Sequence, residues 1–140
     1  MADTPSGDDR RADGGQTPPA PLVMVVDDEP SVLAVLDRLL KTWGFRTVAI
    51  GNFEEARRAL TADPPDALVT DIRLGDYNGL QLVHLLRARN PAAVVVAISG
   101  IDDPVLRVEA ANAGAAYLLK PSELPRLRLY LSGETPDPRP

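Results

Sequence analysis

The sequence predicts an α/β fold in which one parallel sheet is covered by helices on both faces. Strand-like and helix-like segments alternate along residues 21–132, with five of each. The strand-like runs are continuously apolar, as expected of strands that are buried on both faces. Right-handed crossovers then leave a doubly wound arrangement as the simplest topology, although the pattern alone does not give the order of the strands.

The first part of the chain predicts two strand–helix units. The strands are Leu22–Asp27 and Phe45–Ile50. Pro30 suits the first turn of a helix, whose apolar face recurs at helical spacing and for which Gly44 fits the C-terminal cap. Asn52 and Glu55 resemble a capping box, which predicts that the second helix starts there.

The second part of the chain predicts three more units. The strands are Ala67–Asp71, Ala93–Ser99 and Ala115–Lys120. The third helix spans Gly79–Arg89, with Leu82, Leu85 and Leu86 facing inward. Asp103 and Pro104 open the fourth helix, which Gly114 ends. Ser122 caps a short last helix, whose apolar face carries Leu124, Leu127 and Leu131.

Composition bounds the function classes. The 140 residues, of which 44% are hydrophobic, suit one domain, here residues 21–132. Residues 1–20 and 133–140 have almost nothing to bury, which predicts a disordered leader and tail. The chain has no cysteine and no apolar run that could span a membrane, which fits a cytoplasmic protein. A net charge of −5 argues against direct DNA binding.

Polar side chains follow the predicted strands where each strand ends. They are Asp27, Asp28, Asp71, Ser99 and Lys120. Because ligand sites of open α/β sheets lie at the carboxyl edge, we expect these side chains to converge there. Carboxylates bind a hard divalent cation, while a hydroxyl and an ammonium can hold an anion beside it. The set suits an aspartate that is phosphorylated with the help of magnesium.

Several separated motifs occur in a characteristic order. They are Val26-Asp27-Asp28-Glu29-Pro30, Thr70-Asp71-Ile72-Arg73-Leu74, Asn78-Gly79, Ser99-Gly100 and Gly114-Ala115-Ala116-Tyr117-Leu118-Leu119-Lys120-Pro121. With them the chain resembles the receiver domain of two-component response regulators, over about Leu22 to Leu131. The last helix is short and little of the chain follows it, so we expect a stand-alone receiver of the chemotaxis-regulator type, without an output domain.

The resemblance implies a flavodoxin-like fold with strand order 2-1-3-4-5. It implies that Asp71 accepts a phosphoryl group from a histidine kinase or a phosphotransfer protein. Mg²⁺ would be held by Asp27, Asp28, Asp71 and the backbone carbonyl of Arg73. Ser99 and Lys120 would bind the phosphoryl group, and Ser99 with Tyr117 would act as the switch. The peptide bond before Pro121 would be cis.

The resemblance also places the output surface on the fourth helix, fifth strand and fifth helix, around Tyr117. Leu129 and Tyr130 fall off the predicted core face of the last helix, which favours a partner or a homodimer there. These two residues could instead pack under the C-terminal tail. The lone His84 lies in mid-helix and is interpreted as a surface or partly buried residue rather than a phosphorylated one.

Gly75 and Arg73 depart from the usual pattern of the family, and Ile101 is a further residue that flanks the predicted site. Gly75 stands where proline is frequent, which should loosen the loop after the acceptor. Arg73 is unusual beside the acceptor and could shield a phosphoryl group from water. Ile101, two residues after Ser99, cannot form a hydrogen bond with an attacking water. Slow loss of the phosphoryl group is therefore expected.

Several site residues also have a purely structural explanation, such as a half-buried strand tyrosine for Tyr117, and the predicted function has rivals. Asp27 and Asp28 could serve merely as the cap of the helix that follows them. Lys120 could be a surface lysine, and the Ser99 hydroxyl could form a hydrogen bond with its own backbone.

An aspartyl-phosphate phosphohydrolase is a rival function, but it would need a second acid next to the nucleophile, which Asp71-Ile72-Arg73 lacks. A pseudo-receiver is disfavoured by the intact acids, and a nucleotide-binding domain by the absence of a glycine-rich loop after the first strand.

Overall fold

The computed structural model describes residues 19–133, which form one five-stranded parallel sheet with helices on both faces. The strands are β1 (Leu22–Val26), β2 (Arg46–Ile50), β3 (Ala67–Asp71), β4 (Val94–Ser99) and β5 (Ala116–Leu119). The helices are α1 (Pro30–Thr42), α2 (Phe53–Ala62), α3 (Leu80–Arg89), α4 (Pro104–Asn112) and α5 (Leu127–Leu131). The strand order is β2-β1-β3-β4-β5, which confirms the flavodoxin-like order that the resemblance implied.

The predicted leader 1–20 and tail 133–140 lie almost entirely outside the described residues, so their disorder stays a prediction. Within residues 19–133, no helix is both long enough and apolar enough to cross a membrane.

Two hydrophobic clusters lie on opposite faces of the sheet. One contains Leu36 and Leu40 of α1 with Leu127 of α5, against alternate residues of the strands. The other contains Leu60 of α2 and Leu82 of α3, against the remaining strand residues. β3 is buried along its whole length because helices cover both of its faces. This two-sided burial fixes the position of the central strand that ends at the site.

The helix ends follow the predicted local chemistry. Asn52 Oδ1 accepts a hydrogen bond from the N–H of Glu55 at 2.8 Å, and Asp103 Oδ1 accepts one from Val105 at 2.9 Å. Gly44 and Gly114 follow α1 and α4 with φ of 93° and 80°, the left-handed conformation that favours glycine after a helix.

Two details of the helices differ from the prediction. Leu85 is 38% exposed, because the inward face of α3 is centred between Leu82, Val83 and Leu86 and leaves Leu85 at its edge. Ser122 does not cap the last helix, which begins as a 3₁₀ turn at Leu124–Arg126 and becomes α5 at Leu127. The side chain that acts there belongs to Glu123, whose Oε1 accepts a hydrogen bond from the N–H of Leu119 at 2.8 Å.

A short β-hairpin that the sequence did not predict follows β3. Its two-residue strands, Arg73–Leu74 and Tyr77–Asn78, pair antiparallel around Gly75 and Asp76. Gly75 has φ of 63°, and Tyr77 is exposed while Leu74 is buried. The hairpin therefore fills the connection between β3 and α3 with ordered structure at the edge where the polar residues lie.

Candidate functional site at the carboxyl edge of the sheet

Asp27 is fully buried at the end of β1. Its N–H donates to the carbonyl of Ile50 at 3.2 Å, which continues the pairing of β1 with β2. Its Oδ1 accepts a hydrogen bond from the N–H of Glu29 at 2.9 Å. These bonds fix the orientation of the carboxylate inside the pocket, where its other oxygen, Oδ2, forms a salt bridge with a cationic side chain.

That cation is Lys120, which lies between two buried carboxylates. Its Nζ is 3.0 Å from Asp27 Oδ2 and 3.2 Å from Asp71 Oδ2. The N–H of Lys120 donates to the carbonyl of Ser99 at 2.8 Å, and the Lys120–Pro121 peptide bond is cis. The ammonium therefore reaches the site from the end of β5 and joins the ends of β1 and β3.

Three carboxylates lie close enough to share one cation. Asp27, Asp28 and Asp71 each offer one oxygen, and these oxygens lie within 4.8 Å of one another. Asp28 is exposed, while Asp27 and Asp71 are buried. A set of oxygen ligands of this charge, open to solvent on one side, fits a hard divalent cation that keeps part of its water shell.

Burial and the neighbouring charges shift the pKa values of Asp71 and Lys120. Burial, and then the negative charge of Asp27, raise the pKa of Asp71 above its ordinary value, and Lys120 only partly offsets this rise. Burial by itself would lower the pKa of Lys120, but its hydrogen bond to Asp27 and the two negative charges outweigh burial and raise that pKa. Lys120 therefore stays charged, and ionisation of Asp71 is less favourable than it is for an aspartate in water.

Gly79 lies against the backbone of Asp71. A Cβ at Gly79 would lie 2.0 Å from the carbonyl oxygen of Asp71 and 2.8 Å from Thr70 Oγ1, closer than any real contact. Its φ of −60° and ψ of −20° are open to any residue, so it is the contact, and not the conformation, that requires glycine. Because Gly79 has no side chain, its backbone can pack directly against the backbone of Asp71, the candidate acceptor.

Ser99 and Tyr117 are both hydrogen-bonded to the backbone of one residue, Ile101. Ser99 Oγ accepts a hydrogen bond from the N–H of Ile101 at 3.2 Å, and the hydroxyl of Tyr117 donates to the carbonyl of Ile101 at 2.5 Å. The guanidinium of Arg107 lies 4.5 Å from the centre of the Tyr117 ring. Ser99 is buried, and Tyr117 is half-buried. A movement of the Ser99 hydroxyl therefore affects the residue that holds Tyr117.

The predicted residues Arg73 and Gly75 lie in the hairpin. The N–H of Arg73 donates to Asp71 Oδ1 at 3.4 Å, while the side chain is exposed. The N–H of Gly75 donates to Asp28 Oδ2 at 3.0 Å. His84 is exposed on α3 and takes no part in the pocket, as expected. The contacts of Gly75 with Asp28 and of Gly79 with Asp71 were not predicted from the sequence, although Asn78-Gly79 is one of its motifs.

The comparisons with known proteins agree with this arrangement. The family model described as "Response regulator receiver domain" matches residues 23–132. The chain belongs to this family. Among curated proteins, it is similar to the transcriptional regulatory protein PrrA of Mycobacterium tuberculosis, with 41% identity over 112 residues. That match covers 77% of this chain and 47% of PrrA, so the receiver chain spans about half the length of this relative.

Two solved structures illustrate the likeness of the fold. A CheY-like receiver domain protein from Methanospirillum hungatei superposes with a TM-score of 0.74 at 22% identity, covering 82% of this chain and 96% of that one. A response regulator from Burkholderia pseudomallei, with a phosphorylated aspartic acid, a calcium ion and citrate, gives a TM-score of 0.73 at 27% identity. This match covers 79% of the present chain and 66% of the Burkholderia chain. The fold class and the family resemblance predicted from the sequence are both confirmed.

Proposed function

We propose that this receiver domain is a phosphorylation switch in which Asp71 accepts a phosphoryl group with the help of Mg²⁺. The single observation that carries the proposal is the position of Asp71. Its carboxylate ends the central strand, within 4.8 Å of the oxygens of Asp27 and Asp28 and 3.2 Å from Lys120 Nζ. The related Burkholderia response regulator, which holds a phosphorylated aspartic acid and a calcium ion, supports the same use of this pocket.

In the proposed reaction, an Asp71 oxygen attacks the phosphorus of a phosphohistidine on a histidine kinase or phosphotransfer protein. A new P–O bond forms, the P–N bond breaks, and the imidazole leaves with the electron pair and takes up a proton. When bound to Asp27, Asp28 and Asp71, with the Arg73 carbonyl as a further ligand, Mg²⁺ would offset the repulsion between the carboxylate and the phosphoryl oxygens. Lys120 and Ser99 would bind the phosphoryl group, and Tyr117 would follow Ser99. The protein is a phosphoacceptor and turns over no free substrate.

Labelling with a small phosphodonor tests the acceptor. We expect acetyl phosphate to add the mass of one phosphoryl group to the wild type in Mg²⁺, and nothing when the metal is chelated. Asp71→Asn should abolish the adduct, whereas Asp76→Asn, which changes an exposed acid in the neighbouring hairpin, should keep it. An unchanged yield in Asp71→Asn would contradict the assignment.

A thermal-shift titration tests the metal ligands without any phosphodonor. Because binding to the native state alone stabilises it, Mg²⁺ should raise the melting temperature of the wild type and of Asp76→Asn. Asp28→Asn should lose most of this rise. The full wild-type rise in Asp28→Asn would count against direct ligation by Asp28.

The output of the switch is proposed to be protein binding through the surface formed by α4, β5 and α5. Val105 and Val108 on α4 are 64% and 59% exposed, and Leu129 on α5 is 39% exposed. Tyr130 instead packs against the core cluster that contains Leu127, so only Leu129 of that predicted pair is free to serve a partner. Light scattering of the protein with and without beryllofluoride would detect a homodimer through this surface.

Three further predictions concern the whole protein. The stand-alone architecture stays a prediction, because the related PrrA is about twice as long as the matched part, and the mass of the protein in its native cells tests it. The net charge of −5 supports the proposal that this domain itself does not bind DNA, which a mobility-shift assay would check. The cytoplasmic location is likewise proposed and is testable by cell fractionation.

A further inference from the structure

The hairpin after the acceptor is fastened to one of the three acids. The N–H of Gly75 donates to Asp28 Oδ2 at 3.0 Å, across 47 positions of the chain. Asp28 is the exposed member of the acid set, so solvent alone would leave its carboxylate free to rotate. A fixed hydrogen bond to one oxygen directs the other, and the position of Gly75 therefore bears on what Asp28 can bind.

The hairpin is in turn fastened to α2 by an aromatic pair. The rings of Phe53 and Tyr77 stack with their centroids 4.5 Å apart and their planes 8° apart. Phe53 is buried in the core cluster on that face of the sheet, whereas Tyr77 is 54% exposed. Leu74 secures the first strand of the hairpin in the same core cluster, and the stacking of Tyr77 on Phe53 adds a contact that holds the second strand against α2.

An open cleft lies beside the stacked rings of Phe53 and Tyr77. A cavity of about 240 Å³ runs along Asp28, Asn52, Phe53, Gly75 and Tyr77. The tip of the hairpin therefore does not pack closely on the body of the domain beside Asp28. Leu74 lines the same gap from the core side, and the stacked ring and the Gly75–Asp28 hydrogen bond join the hairpin to the domain on either side of it.

We propose that Tyr77, stacked on Phe53, is a positioning residue for the metal site, which holds Gly75 where its N–H orients the carboxylate of Asp28. The inference rests on the proposed function, because it takes Asp28 as a metal ligand. Tyr77 does not touch the cation. It limits the freedom of the hairpin, and so reduces the ordering that Asp28 must undergo when a cation binds.

Calorimetric titration of the full chain with MgCl₂, at a temperature where every variant is folded, tests the inference. Tyr77→Ala should weaken Mg²⁺ binding by about fivefold, whereas Tyr77→Phe, which keeps the ring, should stay within about twofold of the wild type. Val35→Ala, which truncates a side chain of similar exposure (59%) on α1, should also stay within that margin. Amide hydrogen exchange at Gly75 should become faster in Tyr77→Ala and not in Tyr77→Phe.

A purely structural role for Tyr77 would lower the melting temperature without changing the dissociation constant for Mg²⁺. An unchanged constant in Tyr77→Ala would therefore overturn the inference, and so would an equal loss in Tyr77→Ala and Tyr77→Phe. Asp28→Asn separates this failure from failure of the proposed function. If Asp28→Asn loses Mg²⁺ and Tyr77→Ala does not, only the positioning role is wrong; if Asp28→Asn keeps full affinity, the metal site itself is misassigned.

Discussion

The carboxyl edge of the sheet has two halves that are held in different ways. In the acidic half, at the ends of β1 and β3, Asp27 and Asp71 are buried and Lys120 bridges them at 3.0 and 3.2 Å. In the switch half, at the ends of β4 and β5, Tyr117 is half-buried and reaches the surface residue Ile101 through a single hydrogen bond. Buried charges are held by partners that are costly to lose, whereas exposed bonds exchange readily with water.

This difference indicates how one small domain can combine fixed chemistry with a movable output. Under the proposed function, the acids keep their spacing for a cation and a phosphoryl group, and the buried contacts of Asp27 and Asp71 hold that spacing. The proposed switch residues, by contrast, would have to change position at little cost. Substitutions in the two halves should therefore differ in effect, and the largest loss of stability is expected in the acidic half.

Gly79→Ala should produce the largest effect, because its Cβ would lie 2.0 Å from the carbonyl oxygen of Asp71. The backbone of the acceptor or of α3 must move, which we expect to cost about 3 kcal/mol of stability. Denaturant unfolding measures the loss, and the yield of phosphorylation by acetyl phosphate should fall with it. Gly100→Ala is the matched control, since a Cβ there meets nothing within 4 Å. Equal stability of the two variants would show that the support behind Asp71 is not rigid.

Much of the acidic half could be predicted from the sequence. Parallel strands end at one edge, so apolar runs that end in Asp27, Asp71 and Lys120 had to bring these side chains near one another. The tight fit of Gly79 could not be predicted from its conformation, because its dihedral angles are ordinary. Its cause is the approach of the loop before α3 to the end of β3, which is set by tertiary packing.

The hairpin was beyond prediction for a similar reason. Its strands are two residues long and carry no alternating pattern, and its anchor joins Phe53 and Tyr77, which lie far apart in the sequence. The start of the last helix was predicted wrongly at Ser122, because the capping rule compares neighbours along the chain. The side chain of Glu123 turns back to the N–H of Leu119 instead, and the 3₁₀ turn follows.

Asp71→Asn should make the metal-free protein more stable near neutral pH, by a few degrees in melting temperature. Burial and the charge of Asp27 raise the pKa of Asp71, so the folded state takes up a proton more readily than the unfolded chain. Stability from this group is therefore present at acid pH and is lost as the pH rises through the raised pKa. Asparagine does not ionise, so Asp71→Asn should not lose stability in this way as the pH rises. Its advantage should shrink as the pH falls towards the ordinary range of an aspartate.

Comparing the stability of the wild type and Asp71→Asn in saturating Mg²⁺ provides a second test of the repulsion at Asp71. The cation should stabilise the wild type and reduce the advantage of Asp71→Asn, because it offsets the repulsion that the substitution removes. Melting curves at several pH values, with and without Mg²⁺, provide the measurement. A variant that is less stable than the wild type at neutral pH without metal would show that the bonds of Asp71 to Lys120 outweigh its burial and repulsion.

The lifetime of the phosphoryl group should depend on one exposed residue from each half. Arg73 in the hairpin and Ile101 after β4 are both exposed, and Ile101 is 45% exposed. We expect an arginine to cover the phosphoryl face and an isoleucine to leave an attacking water without a hydrogen bond. The double variant Arg73→Asn, Ile101→Gln should therefore lose its phosphoryl group about threefold faster, a change of about 0.7 kcal/mol in the barrier.

Decay of the phosphorylated protein, followed by intact mass, measures this lifetime. Arg89→Asn, which removes an exposed arginine from the C-terminal turn of α3, is the control and should decay at the wild-type rate. A double variant that decays no faster than the wild type would mean that neither side chain limits the access of water to the phosphoryl group.

Tyr117→Phe should have the smallest effect on stability. It removes the hydrogen bond from the hydroxyl to the carbonyl of Ile101 and keeps the ring beside Arg107. Because that bond is exposed to water, its loss should cost about 0.5 kcal/mol or less in denaturant unfolding. Phosphorylation of Asp71 should proceed at close to the wild-type rate, since no atom of Tyr117 contacts the acids among the described hydrogen bonds. A loss as large as that of Gly79→Ala would mean that the switch half is held as firmly as the acidic half, and the contrast between them would fail.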